Sequence, residues 1–204
     1  MCHCSRIYAV VLTLCFLLLP GMAGSREYNG AYEGETLNRV AFPLGGMGAG
    51  MICLEGNACI SHVSVRHQPE VYNEPYMFGA IAVKGLANGA KVLEGPVQNH
   101  KIFGGPHSGN GNANKTYGFP RFEQAEFQAR FPFGKVNLKD GDIPMDIEIQ
   151  GWSPFIPGDE DKSSLPVAGL EYTFSNSTRM ADKRRATAHG NGDYFASSRA
   201  LSID

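Results

Sequence analysis

The sequence predicts an all-β fold, an antiparallel β-sandwich, and three observations lead to this prediction. Apolar and polar residues alternate in several short segments, turn sequences separate those segments, and no long stretch shows the 3.6-residue period of an amphipathic helix. The chain has 204 residues, of which 43% are hydrophobic and 19% charged. This length and composition are those of a globular domain with a sizeable core.

Four segments read as strands. Three of them alternate apolar and polar residues and one is a nearly continuous apolar run; in chain order they are 77–84, 127–133, 145–149 and 170–174. A period of two residues is typical of strands with one buried face, as in antiparallel sheets. Turn sequences rich in Gly, Asn, Asp and Pro separate these runs, which favours a sandwich of short strands.

The N-terminal segment resembles a secretory signal peptide. Arg6 precedes an eleven-residue, largely apolar run from Ala9 to Leu19, and small residues follow, so cleavage is expected after Ala23. A bilayer-spanning helix needs about 20 residues, so this run is too short to span. We therefore expect export to the periplasm or the extracellular space, with no membrane span in the mature chain. An uncleaved membrane anchor is the alternative.

Two further segments depart from the strand pattern. Gly104–Gly118 is rich in Gly and Asn and is predicted to be a mobile loop. Residues 177–204 are polar and rich in Gly, Ser and Arg, which predicts a disordered C-terminal tail. The chain thus divides into a signal peptide at 1–23, a β-sandwich at 24–176 and this tail.

Two cysteines remain in the mature chain, Cys53 and Cys59. In an oxidising compartment they can form one disulfide, or they can be two buried thiols. With His62 and His67 they form a compressed Cys/His pattern. A zinc finger separates its Cys pair and His pair by about 12 residues. We therefore expect no metal site, and nothing else in the sequence indicates a cofactor.

The densest glycine run is FPLGGMGAG, residues 42–50. It lacks the third glycine of a dinucleotide-binding fingerprint and the Gly-Lys-Ser/Thr of a P-loop. Glycine permits positive φ and close approach of another backbone or a ligand. Gly46, Gly48 and Gly50 are therefore candidates for a loop whose amides face a substrate, or for a loop packed beneath another element.

The most polar motif is SHVSVRHQPE, residues 61–70. On a regular strand His62, Ser64 and Arg66 would share one face. The guanidinium of Arg66 is suited to a carboxylate or to sugar hydroxyls, with His67 and Glu70 where the strand opens into a loop. The alternative is a structural ion pair between Arg66 and Glu70.

Residues 151–176 place three prolines and three consecutive acids between two strands. Proline fixes φ and removes a donor, so this segment is predicted to be a rigid extended crossover. We expect Trp152 and Phe155 to pack beneath it and Asp159–Lys162 to form its exposed tip. A net charge of −2 gives no support for nucleic acid or an anionic membrane as partner.

Three blocks, in this order, resemble a known family: FPLGGMGAGMICLEGN, SHVSVRHQPEVYNEP and GWSPFIPGDEDKSSLPVAGLEYTFSN. They span about Arg39 to Asn176 and are similar to the N-terminal domain of glycoside hydrolase family 116, which includes bacterial β-glucosidases and the non-lysosomal glucosylceramidase. The resemblance implies a supersandwich-like N-terminal domain that packs on a C-terminal (α/α)₆ barrel. It also implies retaining hydrolysis of β-glucosides.

The resemblance does not extend to catalysis within this chain. The family's catalytic carboxylates lie in the helical domain, and no acidic residue here matches their motifs. We therefore expect a chain truncated before the catalytic domain, inactive alone, that shapes the active site of that domain. A β-glucoside or glucosylceramide-like substrate would then be bound only with that domain present. The alternative is a stand-alone secreted carbohydrate-binding sandwich.

Overall fold

A computed structural model describes residues 27–64, 68–70, 74–98, 101, 116–176, 184–190 and 202–203, the last two ranges as backbone. These residues form three antiparallel sheets with only short helical turns, which confirms the all-β prediction. Among them, no helix has the length and apolar character needed to cross a membrane.

The largest sheet has five strands. In spatial order they are β1 (Tyr32–Glu33), β7 (Gln124–Arg130), β8 (Phe133–Lys139), β9 (Met145–Trp152) and β10 (Gly169–Asn176). Strands β7 to β10 are neighbours both in sequence and in space, so they form an antiparallel meander. The strands predicted at 145–149 and 170–174 are confirmed as parts of β9 and β10.

Two smaller sheets complete the fold. One consists of β2 (Ala41–Leu44), β3 (Met51–Glu55) and β4 (Ile60–Ser64), in that order. The other, in spatial order, is β12 (Ser202–Ile203), β11 (Arg184–Gly190), β5 (Met77–Val83) and β6 (Ala90–Val92). The short helical elements are the 3₁₀ turns η1 (Gly34–Arg39) and η2 (Thr116–Gly118) and the single α-turn α1 (Glu160–Ser163).

The core lies between the meander and the sheet of β2, β3 and β4. Alternate side chains of β8 and β9 point inward and are at most 1% exposed: Val136, Leu138, Ile147 and Ile149. From the opposing sheet, the ring of Phe42 contacts that of Phe127 with centroids 5.9 Å apart. Leu44 and Leu54 are also fully buried there. One face of each sheet is thus removed from water, as the period-two pattern predicts.

Close packing of the two sheets depends on two glycines of the meander. A Cβ at Gly134 would lie 2.8 Å from Cδ1 of Phe42, and one at Gly151 would lie 2.8 Å from Cδ1 of Leu44. Gly151 is the register partner of Gly134 on the neighbouring strand. Paired glycines thus leave room for two large side chains of the opposing sheet.

The prediction of one strand over 127–133 is wrong. β7 ends at Arg130, the chain turns at Phe131 and Pro132, and β8 begins at Phe133. Proline has no N–H for the ladder, so it favours a turn at this position. As a result Phe131 and Phe133 are 62% and 44% exposed instead of joining the core.

Several predictions concern segments that lie wholly or partly outside the described residues. These include the signal peptide at 1–23, most of the loop at 104–118 and most of the tail. Within the tail predicted to be disordered, the structure describes the backbone of β11 and β12. β11 has the extended conformation of a strand because its backbone pairs with that of β5, from Met77 to Val83.

A buried ion pair links β6 to the turn after β8. Nζ of Lys91 lies 2.6 and 2.7 Å from the two carboxylate oxygens of Asp140, and both side chains are almost wholly buried. The amides of Glu123 and Asp142 also donate to this carboxylate, at 3.1 and 2.8 Å. Burial alone would raise the pKa of Asp140, but these hydrogen bonds outweigh it and hold the pKa below its ordinary value.

A lowered carboxyl pKa in the folded state makes a pH-dependent contribution to stability. The contribution is complete above the unfolded-state pKa, about 3.9, and is lost as pH falls through the lower folded-state value. We expect Asp140→Asn to cost about 1–3 kcal/mol at pH 7, because the buried Lys91 ammonium loses the charge of its nearest carboxylate and one acceptor oxygen becomes an amide donor. The substitution should also flatten the decline in stability below pH 4. Urea unfolding followed by the fluorescence of the single tryptophan, Trp152, measures both effects.

The matched control is Asp146→Asn at an exposed position of β9. Its stability should follow that of the unmodified chain across the same pH series. Equal pH dependence in the Asp140→Asn chain and the unmodified chain would contradict the assignment.

Candidate functional site

The glycine loop, residues 45–50, connects β2 to β3. Gly48 and Gly50 have φ of +75° and +111°, a region that favours glycine, and both are exposed. An added Cβ at Gly48 would meet nothing within 4 Å, so conformation and not space requires glycine there. The exposure of these two glycines is compatible with the predicted substrate contact, which stays a prediction.

Gly46 has a different environment, because it lies beneath the crossover, residues 153–168. A Cβ on Gly46 would overlap the carbonyl oxygen of Leu165. On either side of this contact, the amide of Met47 donates to the carbonyl of Ser163 at 2.9 Å, and the amide of Gly45 donates to Oγ of Ser153 at 3.1 Å. The first half of the glycine loop is therefore packed against the backbone of the crossover, in agreement with the interpretation that this loop lies beneath another element.

The crossover is held in shape by one buried hydroxyl. Oγ of Ser163, 1% exposed, accepts from the amide of Ile156 at 2.9 Å and donates to the carbonyl of the same residue at 3.1 Å. The acidic tip is the helical turn α1, whose N-cap Asp159 accepts from the amide of Lys162 at 3.0 Å. The crossover therefore has a fixed path from internal hydrogen bonds as well as from its prolines.

The prediction that Trp152 and Phe155 pack beneath the crossover is wrong for Phe155. The indole of Trp152 is half-buried against Gly169 and donates to Oε1 of Glu171 at 3.2 Å. The ring of Phe155 instead contacts Phe131 with centroids 4.9 Å apart and is 38% exposed. The two rings meet on the outer side because the β7–β8 turn places Phe131 there.

These rings belong to an apolar face on the outside of the domain. We define the apolar face by six side chains that are between 38% and 62% exposed: Phe131, Phe133, Phe155, Ile156, Leu165 and Val167. Four come from the crossover, Phe131 comes from the β7–β8 turn, and Phe133 is the first residue of β8. The contact between the rings of Phe131 and Phe155 brings the two groups together.

The polar motif at 61–70 is described only in part. Arg66 and His67 lie outside the described residues, so their proposed ion pair and substrate contacts stay predictions. The regular alternation predicted for this strand is wrong, because His62 has a φ of +55° and the register against β3 shifts. Ser61 and Ser64 are both buried as a result. Glu70 is exposed, and its amide donates to Oγ of Ser64 at 2.8 Å.

Sequence reasoning missed a buried ionic network. Nζ of Lys101 lies 2.6 Å from both carboxylate oxygens of Glu55 and 2.9 Å from Oε1 of Glu74. The hydroxyl of Tyr117 donates to Oε2 of Glu74 at 2.7 Å. The three charged side chains are at most 8% exposed. Burial is the largest single influence and would lower the pKa of Lys101, but the attractions of Glu55 and its other partners together outweigh burial and raise the pKa.

The network continues through a second ion pair and a thiol. Arg121 pairs with Oε2 of Glu94, and Sγ of Cys59 donates to the same oxygen at 3.2 Å. Cys53 and Cys59 are both free and buried, so they are two buried thiols and not a disulfide. Burial, aided by Glu55, raises the pKa of Cys53 to about 11. Burial and the Glu94 charge raise the pKa of Cys59 well above its ordinary value, so both stay neutral thiols.

The network has the properties of a structural element. The cavity that Glu74, Lys101 and Tyr117 line measures about 20 Å³, room for a single water and not for a sugar. Its carboxylates are engaged by buried cations. Within the described ranges, no group of three or more His, Cys, Asp or Glu side chains is arranged to hold a metal ion.

One sequence signal pointed to this network. Glu55 and Glu94 each stand between a leucine and a glycine at the end of an apolar run, in ICLEG and KVLEG. Charged residues are rarely buried, and one that is buried with an adjacent apolar run requires a partner. The partners are not local, because Lys101 is 46 residues from Glu55.

The sequence matches a protein-family model. A model described as beta-glucosidase 2, glycosyl-hydrolase family 116 N-term, matches residues 41–186, well over half of the chain. The matched range contains the glycine loop, the network and the crossover, and it continues past Asn176 into β11. A comparison with curated proteins finds no match.

Removing the central cation of the network tests its structural role. We expect Lys101→Met to destabilise the fold by about 3–5 kcal/mol, because two buried carboxylates lose their counter-charge. Lys162→Met, which removes the exposed pair with Asp159, is the matched control and should leave stability nearly unchanged. Urea midpoints at pH 7 compare the two. Similar small effects from both substitutions would show that the network contributes little.

Proposed function

The chain belongs to the N-terminal domain family of glycoside hydrolase family 116, and on that premise we propose that it is the non-catalytic β-sandwich of a β-glucosidase or glucosylceramidase-like enzyme. In this proposal the sandwich packs on a helical catalytic domain and shapes its active site. A β-glucoside or glucosylceramide-like substrate is bound by the two domains together. The N-terminal segment directs the protein to the periplasm or the extracellular space.

The apolar face is the observation that carries this proposal. Contiguous apolar patches on soluble domains mark interaction surfaces more often than isolated exposed side chains do. This face is also preorganised, because Ser163 fixes the path of the crossover and Met47 ties it to the glycine loop. A surface that is already ordered loses little conformational entropy on docking.

The glycine loop adjoins the crossover, because Gly46 contacts the backbone of Leu165. Gly48 and Gly50 follow Gly46 in the same loop and are exposed. We propose that the amides of these two exposed glycines contribute to the interface or to the edge of the substrate site. We propose the same two roles, at the interface or at the edge of the substrate site, for Arg66, His67 and Glu70.

The environments of Glu55, Glu70 and Glu74 favour a non-catalytic role for these three residues. Retaining hydrolysis requires two carboxyl groups about 5–5.5 Å apart and open to the substrate. Glu55 and Glu74 meet at Lys101, but both are buried and ion-paired. Glu70 is exposed while Glu74 is buried, so these two do not form an accessible pair either.

Hydrolysis of a chromogenic β-glucoside by the purified chain from Gly24 to Asp204 tests this non-catalytic role. We expect no turnover above buffer, because a paired acid/base and nucleophile are required. Turnover that is abolished by Glu70→Gln or Glu74→Gln would show that the sandwich has its own catalytic carboxylates and would overturn the proposal.

The apolar face can be tested without knowing the partner. We expect the isolated chain to self-associate, and the double substitution Phe131→Ser and Phe155→Ser to shift it toward monomer, because about 25 cal/mol is lost per Å² of apolar contact removed. Sedimentation velocity over a concentration series measures the shift. The matched control replaces Tyr28 and Leu86 by serine, both exposed and outside the face.

A chain that stays monomeric at all concentrations, with or without the double substitution, would count against docking through this face. An equal shift in the control chain would show that association depends on general hydrophobicity and not on this surface.

A further inference from the structure

A cleft of about 450 Å³ opens where β1 separates from the edge of β7. β1 pairs with β7 only at Tyr32 and Glu33, after which the chain turns away into η1. The cleft lies between η1, the segment 96–98, the first residues of β7 and the last residues of β8. Its volume is within the range of small-molecule sites, about 300–1,000 Å³.

The walls of the cleft combine carboxamides with an apolar base. Four carboxamide residues line it: Asn38, Gln98, Gln124 and Asn137. Each carboxamide offers both donors and an acceptor, which is what an alcohol hydroxyl requires of its partners. Leu37 and Val97 add apolar surface on which the C–H groups of a ring can pack.

Gln98 is the residue that points most directly to a ligand. It is 6% exposed and lines the cleft, and its Nε2 donates to the carbonyl of Leu37 at 3.2 Å. This is the one hydrogen bond its side chain makes to the described residues, which leaves the amide oxygen available as an acceptor. A carboxamide that is buried and fixed in this way is set to receive a donor from a bound molecule.

The charge of the cleft restricts the class of ligand. Four carboxylate residues and one lysine line it: Glu33, Glu35, Glu123, Glu126 and Lys139. The excess of negative charge disfavours phosphates, sulfates and acidic sugars. Carboxylates accept strongly from hydroxyl donors, so they favour a neutral, hydroxyl-rich molecule. Among the described residues, no three-ligand group suited to a metal ion is present here or elsewhere.

We propose that this cleft binds a neutral saccharide. The carboxamides and carboxylates receive the hydroxyl groups, and the apolar base receives one face of the ring. This binding is separate from the proposed docking, because the cleft and the apolar face share no residue. Failure of either proposal therefore leaves the other in place.

Titration of the ¹⁵N-labelled chain with cellobiose, maltose and lactose, followed by NMR, tests the proposal. We expect saturable shifts of the side-chain amides of Asn38, Gln98 and Asn137 with at least one of these disaccharides. Asn137→Ala should weaken that binding about tenfold, since it removes a hydrogen-bonding group from the site. Gln150→Ala, at a half-buried position of β9 that does not line the cleft, is the matched control and should bind normally.

Three results would overturn the proposal. The first is the absence of saturable shifts with all three disaccharides. The second is unchanged binding by an Asn137→Ala chain whose spectrum shows the native fold. The third is saturation of the same amides by calcium chloride or spermidine but by no disaccharide, which would identify the cleft as a cation site.

Discussion

The fold depends on the burial of paired charges between its sheets. Transfer of an ion into a protein interior costs several kcal/mol, and the cost is recovered only when opposite charges and hydrogen bonds are well placed. Lys101 meets this requirement by contacting Glu55 at the end of β3 and Glu74 ahead of β5. Glu94, just after β6, is held in the same way by Arg121. The relative positions of two sheets are therefore fixed by electrostatics as well as by apolar packing.

A second constraint fixes the outer surface. The crossover is anchored by the Ser163 hydroxyl and lies against Gly46, where any side chain would overlap the backbone. The same packing presents Phe155 and Leu165 to solvent in a fixed arrangement. The buried carboxylates are already paired with cations. The surfaces available to a partner or a ligand are therefore those on the outside of the domain.

The sequence pattern predicted those elements whose strands have one buried face. β9 and β10 follow the alternation because every second side chain enters the core. The pattern failed at Phe131, where alternation continues through a turn at Pro132, and at His62, where a positive φ interrupts the strand. The network was not predictable in detail, because Lys101 and Glu55 are distant in sequence and only the fold brings them together.

The two outer surfaces lie at opposite ends of the same strand. Gln124, at the start of β7, lines the cleft, and Phe131, just beyond its last residue, belongs to the apolar face. At about 3.3 Å per residue these positions are roughly 23 Å apart. A partner seated on the apolar face would therefore leave the cleft open. The two proposals are therefore compatible, and β7, held between β1 and β8, links the proposed docking surface to the proposed saccharide site.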